Sequence, residues 1–319
     1  MKKNLLALTV LGAFAGAAQA QSNVTVYGAM DIGLIKATGE TLAIGRGDNN
    51  KLGFKGAEDL GNGLSANFRL EMRFEPDTGT TESGGRRPLF QGRSVVGLSG
   101  PFGTIKLGRD LTAVQDPIGD FDPFGFQTVG SLDAILGNYS TDPSYAGSSG
   151  NRLSNGVYYS TPSMGGFQVN ATLASKEGLN GGPQLNSNPY SLSATYANGP
   201  LAALVGVERS TAEDKFWTVS GAYRVGVANL IASYSRLDRA VGVRDTNWLV
   251  AADIAVGVGS VKVGYGQVKP ENAGANKQVS LGYWHNLSKR TMLYTDATSR
   301  KPAVGASSNA FDVGIHHTF

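Results

Sequence analysis

The sequence predicts an all-β fold, a transmembrane antiparallel up-and-down β-barrel of about sixteen strands. Three observations carry this prediction. Apolar and polar residues alternate in segments of roughly ten residues, recurring almost to the last residue. The connections between those segments are alternately short and long. No stretch could cross a membrane as a helix, because uncharged runs such as Gly178 to Val207 are broken by Pro, Gly and Asn. The most apolar region, Trp248 to Val263, carries Asp253 and Lys262.

The chain opens with MKKNLLALTVLGAFAGAAQA, in which Lys2 and Lys3 precede an apolar run and Ala18-Gln19-Ala20 forms a small-x-small cleavage site. Residues 1–20 therefore read as a secretory signal peptide, leaving 21–319 as one barrel domain. The formal net charge of +3 includes both of those lysines, so the mature chain is nearly neutral. That balance gives no basic surface for a nucleic acid. Cysteine is absent, which excludes disulfides and thiolate metal sites.

Strands are expected near 24–35, 50–57, 64–75, 92–99, 103–109, 153–161, 166–175, 190–197, 201–209, 215–224, 227–236, 246–256, 259–268, 277–286, 290–299 and 310–319. Short turns such as Gly100-Pro101-Phe102, Asn198-Gly199-Pro200 and Val225-Gly226 alternate with long polar connections at 36–49, 76–91, 110–152, 176–189, 210–214, 237–245, 269–276 and 300–309. Sorting loops by length onto two ends is the habit of a barrel with one closed and one elaborated rim.

The segment Leu64 to Glu75 decides which face looks inward. Leu64, Ala66, Phe68, Leu70, Met72 and Phe74 alternate without exception with Ser65, Asn67, Arg69, Glu71, Arg73 and Glu75. If Arg69 and Arg73 met lipid, they would together cost roughly 4–8 kcal/mol near the midplane, a large share of the roughly 5–15 kcal/mol that holds a domain together. They are expected to face a wet interior, with the apolar row against acyl chains. Facing is ambiguous for 227–236 and 290–299. Tyr27, Phe74, Tyr196, Tyr234 and Tyr283 are candidates for aromatic girdles at the membrane interfaces.

The long connection from Asp110 to Asn151 carries the chemistry. Structureless loops of that length are usually functional, and Phe121, Phe124, Phe126, Leu132, Ile135 and Leu136 give it material to pack. Its charges are Asp110, Asp116, Asp120, Asp122, Asp133 and Asp142, with no Lys or Arg before Arg152. Inward positions on early strands supply Lys51, Arg69, Arg73, Arg93 and Lys106, and Arg109 and Arg152 stand at the loop's ends. Folded inward, the loop would set an acidic rim against a basic wall and focus a transverse field between them. Folded outward, it would lie over the surface with its aspartates solvated.

Several runs together resemble the trimeric general porins of Gram-negative outer membranes, nearest the beta-proteobacterial branch. They include Val24-Thr25-Val26-Tyr27-Gly28, Leu52-Gly53-Phe54-Lys55-Gly56 with Glu58-Asp59-Leu60-Gly61, and Gly92-Arg93-Ser94-Val95-Val96-Gly97-Leu98. Phe102 to Arg109, Tyr159-Ser160-Thr161-Pro162 and the ending Gly314-Ile315-His316-His317-Thr318-Phe319 extend the match over the mature chain. The resemblance implies a sixteen-stranded homotrimer whose third loop enters the lumen. It implies that Asp122-Pro123-Phe124-Gly125 is the loop tip, with Asp where Glu is frequent, and that Lys51, Arg93, Arg109 and Arg152 form the basic cluster. Position 51 is usually Arg in the family, and Lys offers a point charge instead of a planar fork. Phe319, in line with Ile315, Val313 and Phe311, resembles the signal read by the barrel-assembly machinery, although His317 interrupts the series.

The expected activity is passive diffusion of small hydrophilic solutes and inorganic ions through a barrel seated in outer-membrane lipid, with a weak anion preference and no cofactor. An enzyme is not expected. Hydrolysis needs a positioned base, and His285, His316 and His317 all lie near short turns or the chain end, away from the long loops. Arg46-Gly47-Asp48 in the first long loop would suggest a receptor-binding motif, but chance explains it in a Gly- and Asp-rich segment.

Overall fold

The computed structural model describes residues 23–137, 151–176 and 186–319. The signal segment and Asp142 lie outside these residues. The strands are β1 (Asn23–Ala37), β2 (Ala43–Gly45), β3 (Lys51–Gly61), β4 (Leu64–Arg73), β5 (Arg93–Gly100), β6 (Gly103–Leu111), β7 (Arg152–Ser160), β8 (Phe167–Ala174) and β9 (Tyr190–Asn198). They continue as β10 (Leu201–Arg209), β11 (Lys215–Val225), β12 (Ala228–Asp238), β13 (Arg244–Val256), β14 (Gly259–Pro270), β15 (Asn276–Asn286), β16 (Thr291–Lys301) and β17 (Ser308–Thr318). No described helix is long and apolar enough to cross a membrane.

Sixteen long strands form one closed antiparallel barrel, as expected. The extra element is β2, a three-residue strand in the first long loop that pairs Ala43–Gly45 with Gly33–Ile35 of β1. Closure falls on β1, whose first half pairs with β3 and whose second half pairs with β17. The seam is finished by Phe319, whose N–H donates to the Gly28 carbonyl at 3.2 Å and whose carbonyl accepts from the Gly28 N–H at 3.1 Å. Each of the sixteen long strands is thereby paired on both sides, leaving no edge strand, as a hydrocarbon surround demands.

The outer surface is apolar where alternation places it. Phe167, Val169 and Leu173 of β8, and Val205, Val219 and Val250 further round, are all exposed. Ring pairs mark an aromatic belt in two tiers: Trp217 against Tyr234 and Trp248 against Tyr265, both at 5.5 Å between centroids, toward the long-loop rim, and Phe167 against Tyr196 at 4.4 Å beside the short turns. Tyr27 does not join this belt. Its hydroxyl meets Glu71 and Arg69, so it faces the lumen. The reason is in its own strand, where the exposed Val24 and Val26 take the outward positions and leave Tyr27 the inward one.

The hydrophobic core lies inside the barrel. Val114, Ile118, Phe121, Phe124, Leu132, Ile135 and Leu136 of the third long loop pack on Leu204, Phe216, Ile231, Leu237 and Leu249, which point inward from β10 to β13. The loop has entered the lumen, and the interior is only partly a wet channel. This also explains the poor alternation near 227–236: Ile231 and Leu237 are apolar on the inner face because the loop covers them. Near 290–299, Tyr294, Asp296 and Thr298 take the inner face. Two inward glycines allow the loop to come so close. A Cβ at Gly206 would sit 2.6 Å from Val114 Cγ2, and one at Gly264 would sit 2.4 Å from Leu132 Cδ1.

Candidate functional site

The loop that narrows the lumen is built from short turns with satisfied backbones. A 3₁₀ turn, Ile118–Phe121, precedes the tip, and α1 (Asp133–Leu136) follows it, ending on Gly137 in the left-handed region. Asp122 organises the tip. Its carboxylate accepts from the N–H groups of Phe124 at 3.0 Å, Phe126 at 3.1 Å and Leu132 at 3.0 Å. Burial pushes this carboxyl up to about 6 in spite of the three backbone donors.

Side chains on the barrel wall hold the loop along its length. Thr172 and Ser191 accept from the N–H groups of Ala113 and Val114, both at 3.0 Å. Glu208 accepts from the Thr112 hydroxyl. Beyond the tip, the Val129 N–H donates to Asp312 at 2.9 Å, and Gln278 donates to the Ser131 carbonyl at 2.7 Å. The Thr128 N–H donates to the Gly47 carbonyl at 2.6 Å, joining the third loop to the first.

The opposite wall, β3 to β7, is charged. Lys51 stands directly across from Arg73, Lys55 from Arg69, and Glu71 from Arg93. Glu71 is the shared counter-ion, 3.0 Å from Arg69 Nη2 and 3.7 Å from Arg73 Nε. The Tyr27 hydroxyl donates to the same carboxylate at 3.0 Å and accepts from Arg69 Nε at 2.6 Å. The Arg69 guanidinium and the Lys55 ammonium both lie over the Tyr27 ring, at 5.0 and 5.4 Å. Arg93 reaches Asp110 at 2.5 Å and Asp116 at 2.8 Å, and Lys106 reaches Asp110 at 2.5 Å. A recess of about 480 Å³ on this side is lined by Lys55, Asn67, Arg69, Arg93 and Lys106, with Asp110 as its acid.

An antiparallel barrel of sixteen long strands, an internal loop and one charged wall together describe a channel for water-soluble solutes. A model of the Gram-negative porin family matches residues 7–301. The chain belongs to the Gram-negative porins. It is an outer-membrane diffusion channel. "Outer membrane porin protein 32" of Delftia acidovorans is 32% identical over 359 residues, covering 100% of both chains. "Major outer membrane protein P.IB" of Neisseria meningitidis serogroup B is 30% identical over 364 residues, again covering 100% of both. Among solved structures, an "anion-selective porin from Comamonas acidovorans" superposes with a TM-score of 0.81 at 28% identity, over 94% of this chain and 100% of that one.

Within this porin the residues singled out from sequence fall into two groups. Lys51, Arg69, Arg73 and Arg93 project from the charged wall, and Asp116 and Asp120 are exposed on the facing stretch of the loop. Partial desolvation by the surrounding lumen raises the Asp120 carboxyl although its side chain reaches water, and the neighbouring Asp116 adds to the effect. The others stand back from the opening. Arg109 donates to the Gln91 carbonyl at 2.9 Å and to the Ser154 hydroxyl at 3.0 Å, and Arg152, 1% exposed, donates to the Gly92 carbonyl at 2.6 Å. Both guanidiniums fasten the returning second loop to the wall. Asp122, 4% exposed, spends its acceptors on the loop tip, and Asp133 accepts from the Ala134 N–H at 2.7 Å in the first turn of α1.

Sequence reading missed Lys55 and the lumenal role of Tyr27. The signal for Lys55 was available, since it is two residues from Gly53 and four from Lys51 on one strand face. The Arg46-Gly47-Asp48 triplet is engaged internally: Arg46 pairs with Glu75 at 2.9 Å and Glu82 at 2.6 Å, while Asp48 is 5% exposed. Among the described residues, no group of three or more His, Asp or Glu side chains is arranged to hold a metal ion.

Proposed function

We propose that this porin passes small hydrophilic solutes and inorganic ions with a weak preference for anions. The observation that carries the proposal is the imbalance of the charged wall. Among the described residues, Lys51, Lys55, Arg69, Arg73, Arg93 and Lys106 share only Glu71, Asp110 and Asp116 as ion-pair partners, and Arg109 and Arg152 add positive charge behind them. Each buried or half-buried cation in a narrow, low-dielectric passage raises the local concentration of anions. The loop acids Asp116 and Asp120 oppose this, and Asp122 and Asp133 are occupied within the loop. The selectivity stated for the Comamonas relative supports the same sign.

The remaining parts of the reading follow the family. Residues 1–20 serve as the cleaved export signal, the barrel assembles as a homotrimer in outer-membrane lipid, and Phe319 is the feature recognised by the assembly machinery. Transport runs down the solute gradient with no cofactor.

Reversal potential across a planar bilayer under a salt gradient tests the selectivity. The intact protein should give a potential of anion-preferring sign, and Arg69→Gln with Arg93→Gln should move it toward cations. An unchanged potential in the double variant would remove these two arginines from the conducting path.

A further inference from the structure

The lumen above the third loop holds a pocket that passage of small polar solutes does not explain. Ile135 of α1, Val268 of β14, and Pro302 and Ala306 of the last long loop give it apolar walls, and Gln278 of β15 and Arg300 of β16 form its polar edge. All three strands contribute from their long-loop ends. Their facing is inward: Val268 shares its strand face with Gly264, where a Cβ would meet Leu132, and Gln278 is buried and donates to the Ser131 carbonyl at 2.7 Å. The space measures about 290 Å³, near the lower end of the roughly 300–1,000 Å³ of small-molecule sites. Water is held poorly against apolar walls, so an apolar group that displaces it gains affinity.

The polar edge is arranged for an anion. Arg300 stands directly across from Gln278, and its Nε donates to Gln278 Oε1 at 3.2 Å. Gln278 is itself fixed, because its amide nitrogen donates to the Ser131 carbonyl and to the Ser280 hydroxyl at 3.0 Å. The guanidinium is therefore oriented through Nε, and among the described residues its two terminal nitrogens have no hydrogen-bond partner. Among the described residues, no carboxylate lines the pocket and Arg300 has no ion pair. A guanidinium held in this way presents a planar fork that matches a carboxylate with two parallel hydrogen bonds.

We propose that this pocket is a binding site, at the mouth of the channel, for small organic anions that join one carboxylate to an apolar body, of which an aromatic carboxylate is the simplest. The carboxylate takes the terminal nitrogens of Arg300, and the ring lies on Ile135, Val268 and Pro302. The assignment rests on the anion-preferring reading of the channel and adds a class of solute to it. An inorganic ion gains nothing from the apolar walls, and a neutral ring gains nothing from Arg300. An anion with both parts is gathered above the third loop before it meets the charged wall.

Saturation-transfer NMR on the full-length protein in detergent, with empty micelles as the blank, reads binding whether or not the channel conducts. The probe is benzoate, set against acetate, which lacks the ring, and benzyl alcohol, which lacks the charge. Benzoate should show protein-dependent transfer, strongest at its ring protons, and the other two should show far less. Arg300→Gln should raise the half-saturating benzoate concentration about tenfold or more, the loss of a charge-assisted pair. Ala306→Asp should raise it as well, by setting a like charge at the edge of the pocket. Both positions are exposed, so neither change disturbs the fold. Arg69→Gln, on the charged wall, should leave it unchanged. Equal transfer to benzoate and benzyl alcohol, or unchanged saturation in Arg300→Gln, would overturn the site. So would loss of binding in Arg69→Gln with retention in Arg300→Gln, which would move the anion to the charged wall. Reversal potential on the same preparation separates the two readings. An anion-preferring potential without benzoate binding would sink the pocket alone, and benzoate binding without anion preference would keep the pocket and sink the selectivity.

Discussion

The two inner walls of this barrel have the same backbone and opposite chemistry. From β3 to β5 the inward side chains include Lys51, Lys55, Arg69, Glu71, Arg73 and Arg93, with Arg69 and Arg73 paired to Glu71, Lys55 and Arg69 lying over Tyr27, and Arg93 paired to Asp110 and Asp116. From β10 to β13 they include Leu204, Phe216, Ile231 and Leu249, sealed under the third loop. The difference teaches how a membrane barrel acquires a constriction. A loop enters the lumen only if part of the inner wall gives up water for it, and the remaining wall then keeps the charge that sorts solutes. The apolar wall is a docking surface, and the charged wall is the filter.

The comparison breaks most completely at Asp122. Asp122→Ala removes one acceptor group and leaves the N–H groups of Phe124, Phe126 and Leu132 without it in a buried setting. Orphaned donors cost about 1–3 kcal/mol each, so the tip should leave the apolar wall. Single-channel conductance should rise clearly and become noisier, while the barrel itself stays folded. Unchanged conductance would mean that the apolar contacts alone seat the loop.

Phe124→Ala sharpens the same contrast with a smaller effect. Phe124 is fully buried against the inner wall, and truncating such a ring costs about 3–5 kcal/mol. Leu249→Ala, on the wall side of the same core, should cost about 2–5 kcal/mol. Both should lower the thermal unfolding temperature in detergent. Arg69→Leu on the charged wall should lower it less, because Glu71 keeps Tyr27 and Arg73 as partners, and its main effect should be on ion preference.

These walls were not equally legible in the sequence. The charged wall could be read because Leu64 to Glu75 alternates perfectly, and a lipid surround makes an outward arginine too expensive. The apolar wall could not, because Phe216, Ile231 and Leu249 are inward residues of the same type as their outward neighbours, so the period of two disappears where the loop covers it. The loop's own aromatic residues showed that it must pack, without saying on what. Asp122 was taken as a charge for the lumen, whereas an aspartate before Pro123-Phe124-Gly125 is equally suited to capping backbone donors in a turn. Arg109 and Arg152 were correctly placed at the loop's ends, but whether a guanidinium faces water or a carbonyl depends on where the second loop returns, which no local pattern encodes.

The smallest expected effect concerns pH and returns to the loop tip. Burial raises the Asp122 carboxyl from 3.8 to about 6, so the folded tip binds its proton more tightly than the unfolded chain does. Linkage then gives the sign: the group's contribution to stability is fully present below pH 3.8 and is lost as pH rises to about 6. Asp122→Asn keeps an acceptor oxygen for the tip and cannot ionise. The thermal unfolding temperature of the intact protein, minus that of Asp122→Asn, should therefore fall between pH 4 and pH 6 and level off above it. A difference that rises over the same interval would mean that the three N–H donors outweigh burial. The tip would then be an anion site stabilised by ionisation, and docking on the apolar wall would be strongest at neutral pH.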